Sequence, residues 1–351
     1  MGYQARNIWK GKRQSTAKAF LHPITNRENL EVMTDTHVSR IVFDGTRTSG
    51  VQIDREGISS TIKANKEIIL SAGAIESPKL LQLSGIGAVD HLKHLGIDVI
   101  ADRPGVGQNL REHVYVQTKF KVTHGSLNKE FAGPRLLLNV LSYFVASTGP
   151  MTHAAQELLG YIKSREGLTH PDCQIAVGLY SMHHEESGLV LDDEPGMTFG
   201  GYHMHPRAQG ETNIISSDHK DSPKVRANYL GDEEDRAASV AMIHYIRKIM
   251  SQPALKNILV SELAPGNAIQ SDDEILAYWL ENGDRAYHVS GTCRMGADEG
   301  SITDPRTRVR GVEGLRVVDT SIFPELPSGN TNAPAMAAGS NAATMILEDN
   351  R

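Results

Sequence analysis

The stretch "GLRVVDTSIFPELPSGNTNAPAMAAGSNAATMILED", residues 314–349, carries more information about the fold than any other part of this chain. Leu315 to Val318 reads as a short apolar strand ending at Asp319. A loop with Pro324, Pro327 and Gly329 follows, and a helix is expected to open near Pro334. Ala335, Ala337, Ala338, Gly339, Ala342 and Ala343 line that helix, so its backbone can approach a helix, a sheet or a planar cofactor closely. Its N-terminus would present unpaired N–H groups and partial positive charge, which suits an anion or a negatively polarised oxygen.

Upstream, "EIILSAGAIESPKLLQLSGIG" (67–87) gives a short buried strand, Ile68 to Leu70. A helix is expected from about Ser77-Pro78 to a C-terminal cap at Gly85. In "NLEVMTDTHVSRIVFDGTRTSGVQI" (29–53) apolar and polar residues alternate, and "DGTRTSG" reads as the turn of a hairpin. Between 113 and 260 the segments "HVYVQTKFKV", "CQIAVGLY" and "TNIISS" look like strands of a second sheet. "EEDRAASVAMIHYIRKIM" has a helical stripe of Val240, Ile243, Ile246 and Met250, and His244 within it reads as structural. "SDDEILAYWLENG" opens on Ser271 with Glu274 three residues on, the capping-box spacing, and closes at Gly283. The fold class is therefore mixed α/β and α+β.

Composition narrows the function classes. Among 351 residues, 39% are hydrophobic and 22% charged, enough for a real core. A net charge of −6 argues against a nucleic-acid surface, and no window approaches the length of a membrane span. Cys173 and Cys293 lie far apart and form no CxxC, so neither a disulfide framework nor a cysteine-rich zinc site is expected. A cytoplasmic, reducing compartment is the default. The opening "MGYQARNIWKGKRQSTAKAF" shares the basic composition of organelle transit peptides.

Four ordered stretches converge on one pattern: "GAIESPKLLQLSGIG" (73–87), "RPGVGQNLREH" (103–113), "YHVSGTCRMG" (287–296) and "LRVVDTSIFPELPSGNTNAP" (315–334). Together they resemble the glucose–methanol–choline (GMC) family of flavin-dependent oxidoreductases, most closely its choline-dehydrogenase-like branch. The likeness runs from about residue 12 to the C-terminus, which turns the basic opening stretch into an internal family segment. It implies a partial FAD-binding domain over 1–112, a substrate domain built on a mostly antiparallel sheet over 113–286, and a return to the FAD-binding domain over 287–351. The family's GxGxxG unit is absent, since "GVGQNL" (105–110) has leucine where the third glycine belongs, and the chain resembles the C-terminal two-thirds of a member.

The resemblance also implies roles. His288 would be the base and Asn330 the hydrogen-bonding partner of an alcohol substrate, although this chain reads "HVSGT" where Pro-Val is usual after the histidine. A neutral imidazole can take the hydroxyl proton at physiological pH, and an amide can stabilise the developing alkoxide without taking that proton. The small-residue helix would place its positive end at the pyrimidine edge of FAD. Val38, Asp319, Thr320, Asn330 and Thr331 stand at positions implied to touch FAD, Asn332 is the rival of Asn330, and Thr292 and Cys293 read as packing. The partners implied are an alcohol and an electron acceptor, with no metal.

Two rival readings carry weight. "HMH" (His203, His205) and "HHEE" (183–186) supply ligand types for a metal-dependent hydrolase, though without HExxH. The missing glycine loop supports a flavin-free, non-catalytic piece acting at most as a binding module.

Overall fold

The computed structural model describes residues 2–3, 6–185 and 188–351, which fall into two units. The first comprises Met1–Leu30, Val114–Met204 and Asp232–Ala286; the second comprises Glu31–His113, His205–Gly231 and Tyr287–Arg351.

In the first unit the alternating segment Val114–Val122 sits inside an antiparallel sheet. The strand order is Gly2–Tyr3, Leu158–Ile162, Cys173–Gly178, Gly196–His203, Val114–Val122 and Leu259–Ala264, with Asp284–Arg285 pairing at the start of Val114–Val122. Val116, Phe120 and Val122 point to one face, and each is 1% exposed. Helix Glu233–Met250 covers strand Gly196–His203, burying Val240, Ile243, Ile246 and Met250 as the periodicity requires. Asp232 caps it by accepting from the Glu234 N–H, and three acids in its first turn oppose Arg247 and Lys248 in its last, which suits the helix dipole. Helix Asp272–Asn282 carries the full Ser271/Glu274 capping box, and its buried Trp279 donates to the Ser239 carbonyl at 3.1 Å.

The opposite face of that sheet holds a row of polar aromatics. Tyr202 pairs with Gln174, and Gln174 with Tyr161, while Tyr115 accepts a hydrogen bond from Gln156 at 2.6 Å. Burial pushes the Tyr115 phenol up to about 12.

In the second unit, His37–Asp44, Arg47–Arg55 and Ile58–Lys63 form a three-stranded antiparallel sheet with the expected hairpin turn after Asp44. Strand Ile68–Leu70 pairs in parallel with Leu315–Val317, and the Val318 N–H donates to the Leu70 carbonyl to extend the ladder. Ile41, Leu70, Leu81, Ile86, Val106, Cys293, Val317 and Ile322 close one core here.

Two local readings are corrected. "TNIISS" supplies a short strand, Glu211–Asn213, but it pairs with Lys224–Arg226 in this unit, and Ile214 packs with Leu83 and Leu92. Its Thr212 N–H donates to the Gly107 carbonyl at 2.8 Å, which fixes it to the "PGVG" turn. The helix expected from Ser77 begins at Gly73, because Asp319 receives the Gly73 N–H at 2.9 Å and the Ser77 hydroxyl at 2.6 Å. The final helix runs Asn332–Asp349 and so opens near Pro334 as expected, with the proline at its third position. Proline fits there, since the first-turn N–H groups have no intrahelical acceptor.

Candidate active site

The conformation of the "YHVSGTCRMG" segment follows from its two neighbours. On one side Arg111 and Ser290 exchange backbone hydrogen bonds at 3.0 and 2.9 Å, an antiparallel bridge. On the other, the N–H groups of Gly291, Cys293 and Met295 donate to the carbonyls of Thr320, Ser321 and Ile322. Gly291 has φ +87°, and a Cβ there would meet the Asn109 carbonyl at 2.4 Å. The "RPGVGQNLREH", "YHVSGTCRMG" and "VVDTSIFP" stretches are thus stitched side by side.

Continuing the Arg111–Ser290 register by two residues brings His113 opposite His288. Their Nδ1 atoms lie 2.9 Å apart, and the rings meet edge to face with centroids at 5.1 Å. His113 is fully buried and His288 is 7% exposed. Oε1 of Glu112 accepts both backbone N–H groups, from His113 at 3.0 Å and from His288 at 2.8 Å, so one carboxylate oxygen pins the two histidine backbones. Burial lowers the His288 pKa to about 4, which keeps its imidazole neutral and able to accept a proton at neutral pH.

Asn330 lies in the same unit, exposed, in the loop between Gly329 and the last helix. That loop is tied to the histidine segment through Asn109, whose amide donates to the Gly291 carbonyl at 3.2 Å and to the Pro324 carbonyl at 3.3 Å. Thr331, 6% exposed, is the N-cap residue of the last helix, and its side chain makes no cap bond, so the helix N-terminus has no capping oxygen from that residue. Ala342 is buried, whereas Ala337 and Ala343 are exposed, and a Cβ at Gly339 would meet nothing within 4 Å. A helix end that its N-cap side chain does not bond, beside a small-residue face, fits a planar group with a negatively polarised edge, as an FAD ring would present.

The remaining residues implied to touch FAD are occupied within the protein. Asp319 accepts from Ser321 N–H at 2.8 Å as well as from Gly73 and Ser77. The Thr320 hydroxyl donates to the Val289 carbonyl at 2.9 Å. Val38 pairs with Ile53 and packs on the core. A half-open cavity of about 580 Å³ runs along the same strand, lined by Arg40, Phe43, Gln52, Leu83 and His219 among others, and it shares no lining residue with the histidine pair.

The metal-site rival divides on inspection. His203 pairs with Asp235 at 3.2 Å, His205 faces the Ser328 hydroxyl at 3.0 Å, and His183 sits between Asp192 and Glu185. Glu186 of "HHEE" lies outside the described residues. No group of three or more His, Cys, Asp or Glu side chains that could hold a metal ion occurs among the described residues. Neither is any helix there long and apolar enough to cross a membrane.

Sequence reasoning missed Glu112 and His113, although both stand in "RPGVGQNLREH". The signal that finds them is the alternation: His113 and Arg111 bracket Glu112 as His288 and Ser290 bracket Val289, so one bridged pair carries the other with it. Thr292, read as packing, is a buried donor to the Ala74 carbonyl at 2.7 Å.

Two GMC oxidoreductase family models match the chain, over residues 1–115 and 206–339. The human mitochondrial choline dehydrogenase is 41% identical over 351 residues, covering 98% of this chain and 58% of the relative. An oxygen-dependent choline dehydrogenase of Sinorhizobium medicae is 36% identical over 361 residues, covering 99% and 63%. The chain thus spans about three-fifths of the length of these relatives. Among solved structures, a pyridoxine 4-oxidase from Mesorbium loti superposes with a TM-score of 0.83 at 25% identity over 97% of this chain and 63% of its own. A formate oxidase superposes with a TM-score of 0.90 at 24% identity over 97% and 64%, a likeness of fold.

Proposed function

The chain belongs to the GMC oxidoreductase family, and on that basis we propose that it acts in the FAD-dependent oxidation of an alcohol at its CH–OH group. The observation that carries this reading is the buried, neutral imidazole of His288, held by Glu112 at its backbone and by His113 at its ring. His288 accepts the hydroxyl proton, and Asn330 donates a hydrogen bond to the oxygen as charge develops on it. FAD, when bound, supplies the acceptor for the hydride that leaves the carbon. Thr331 and the N-terminus of helix Asn332–Asp349 would hold the cofactor's negatively polarised edge. Asp319 acts mainly by fixing the start of helix Gly73–Leu83, and Thr320 by fixing the His288 segment. Val38 lies on the outer strand of its three-stranded sheet, and the backbone edge not paired with Ile53 would be the one to meet the cofactor. The relatives named choline dehydrogenase make choline, a primary alcohol bearing a quaternary ammonium, the first substrate to try.

The test begins with the visible spectrum of the purified chain after incubation with FAD and desalting. A retained flavin band that bleaches when choline or another primary alcohol is added without oxygen is the expected result. His288→Ala should slow that bleaching by about 10²–10⁴, the range for loss of a general base. A folded chain that retains no flavin overturns the FAD reading for this polypeptide. An unchanged bleaching rate in His288→Ala removes the base from the proposal.

A further inference from the structure

We propose that His113 is a positioning residue that fixes the tautomer of His288, its Nδ1 accepting a hydrogen bond from the Nδ1–H of His288 and so keeping Nε2 of His288 unprotonated. Two imidazoles whose Nδ1 atoms lie 2.9 Å apart hold a single proton between them, because two N–H groups would collide head-on and two lone pairs would repel. Both rings are buried, His113 completely, and the Arg111–Ser290 bridge and Glu112 hold both backbones in register. The paired backbones keep the two residues opposite each other, and burial leaves neither ring room to rotate out of the pair.

One bridging proton leaves two arrangements. If His113 donates, His288 carries its proton on Nε2 and has no lone pair to offer beyond the pair. If His288 donates, its Nε2 is the acceptor and His113 is protonated on its own Nε2. The second arrangement is the one that serves a base, and this choice rests on the proposed role of His288. Once His288 accepts a proton, its Nδ1–H bond to His113 becomes charge-assisted and stronger, so His113 also favours the protonated product of that step.

The arrangement is read without flavin or substrate. In the full chain labelled with ¹⁵N at its histidines, long-range ring correlations at neutral pH report which nitrogen of each ring carries hydrogen, and the His113→Asn and His288→Asn spectra assign the two signals. Expected are a protonated Nδ1 and a bare Nε2 for His288, with the reverse for His113. His113→Leu removes the acceptor and should move His288 toward the Nε2–H form, while His113→Asn, whose amide oxygen can stand where Nδ1 stood, should restore Nδ1–H. In flavin-loaded protein the leucine variant should lose about 10²–10⁴ in kcat with KM little changed, and the asparagine variant should recover most of it. A His288 protonated on Nε2 in the native chain overturns the proposal whatever the variants do. A native tautomer that survives His113→Leu unchanged overturns it as well. Should the tautomers match while no alcohol bleaches the flavin, the oxidoreductase reading fails alone. Should they be reversed in a chain that still oxidises alcohols, only the positioning role falls.

Discussion

The Thr292 hydroxyl donates at 2.7 Å to the Ala74 carbonyl, the group that the residue four positions on would bond in a regular helix. That residue is Pro78, which has no N–H to give. The family stretch 287–296 thus supplies the donor that the family stretch 73–87 lacks, and a proline becomes tolerable inside a helix. Thr292→Val keeps the shape and removes the donor, leaving a buried carbonyl short of a partner. A loss of about 1–3 kcal/mol in urea unfolding is expected, with Thr292→Ser close to the parent. Equal stability of the valine and serine variants would show that the helix needs no such donor.

Ser290 marks a different kind of exchange. Valine is usual just before the glycine in the resembled pattern, and here the hydroxyl is fully buried with no hydrogen-bond partner among the described residues. Burying an unpaired hydroxyl costs free energy, so Ser290→Ala should stabilise the chain by about 1 kcal/mol, read as a rise in the urea midpoint at constant slope. A destabilised alanine variant would mean that the hydroxyl is bonded in solution.

Much of the fold and part of the site were legible in the sequence, and the division between them has physical causes. The capping box at Ser271, the stripe on helix Glu233–Met250 and the hairpin after Asp44 depend on neighbours within a few residues. Gly73 as a helix start was not legible, because its cap is Asp319, 246 residues away. The pairing of His113 with His288 was hidden for the same reason: it depends on strand register across 175 residues, and a slip of one would turn either ring to the other face. Asp319 was read as a cofactor contact, yet its carboxylate oxygens are engaged by Gly73, Ser77 and Ser321, which a one-dimensional motif cannot display.

Gly200 shows how closely the tyrosine row of the sheet is packed. A Cβ on it would fall 1.5 Å from Tyr115 Oη, which is itself held by Gln156. Gly200→Ala therefore displaces the Tyr115 ring or bends the strand, at a cost of about 1–3 kcal/mol for overpacking. Gly200→Ala in a Tyr115→Phe background should be less harmful, because the clashing oxygen is gone while part of the ring contact stays. Additive losses in the double variant would show that the two residues do not meet.

The His288 imidazole also makes stability depend on pH, and the sign follows from its lowered pKa. The folded chain holds this group near 4, against 6.5 for an unperturbed histidine, so between these values the unfolded chain binds more protons than the folded one. Stability from this group is therefore complete above about 6.5, falls as the pH drops through that window, and has gone below about 4. Each tenfold difference in proton affinity between the folded and unfolded chain corresponds to about 1.36 kcal/mol, so the loss amounts to roughly 3 kcal/mol at most. Urea unfolding of the chain at a series of pH values should show this slope, and His288→Gln, which has no proton to bind there, should show a shallower one. Parallel curves for the two proteins across the window would mean that His288 titrates as an ordinary histidine, and a neutral buried base would lose its electrostatic support.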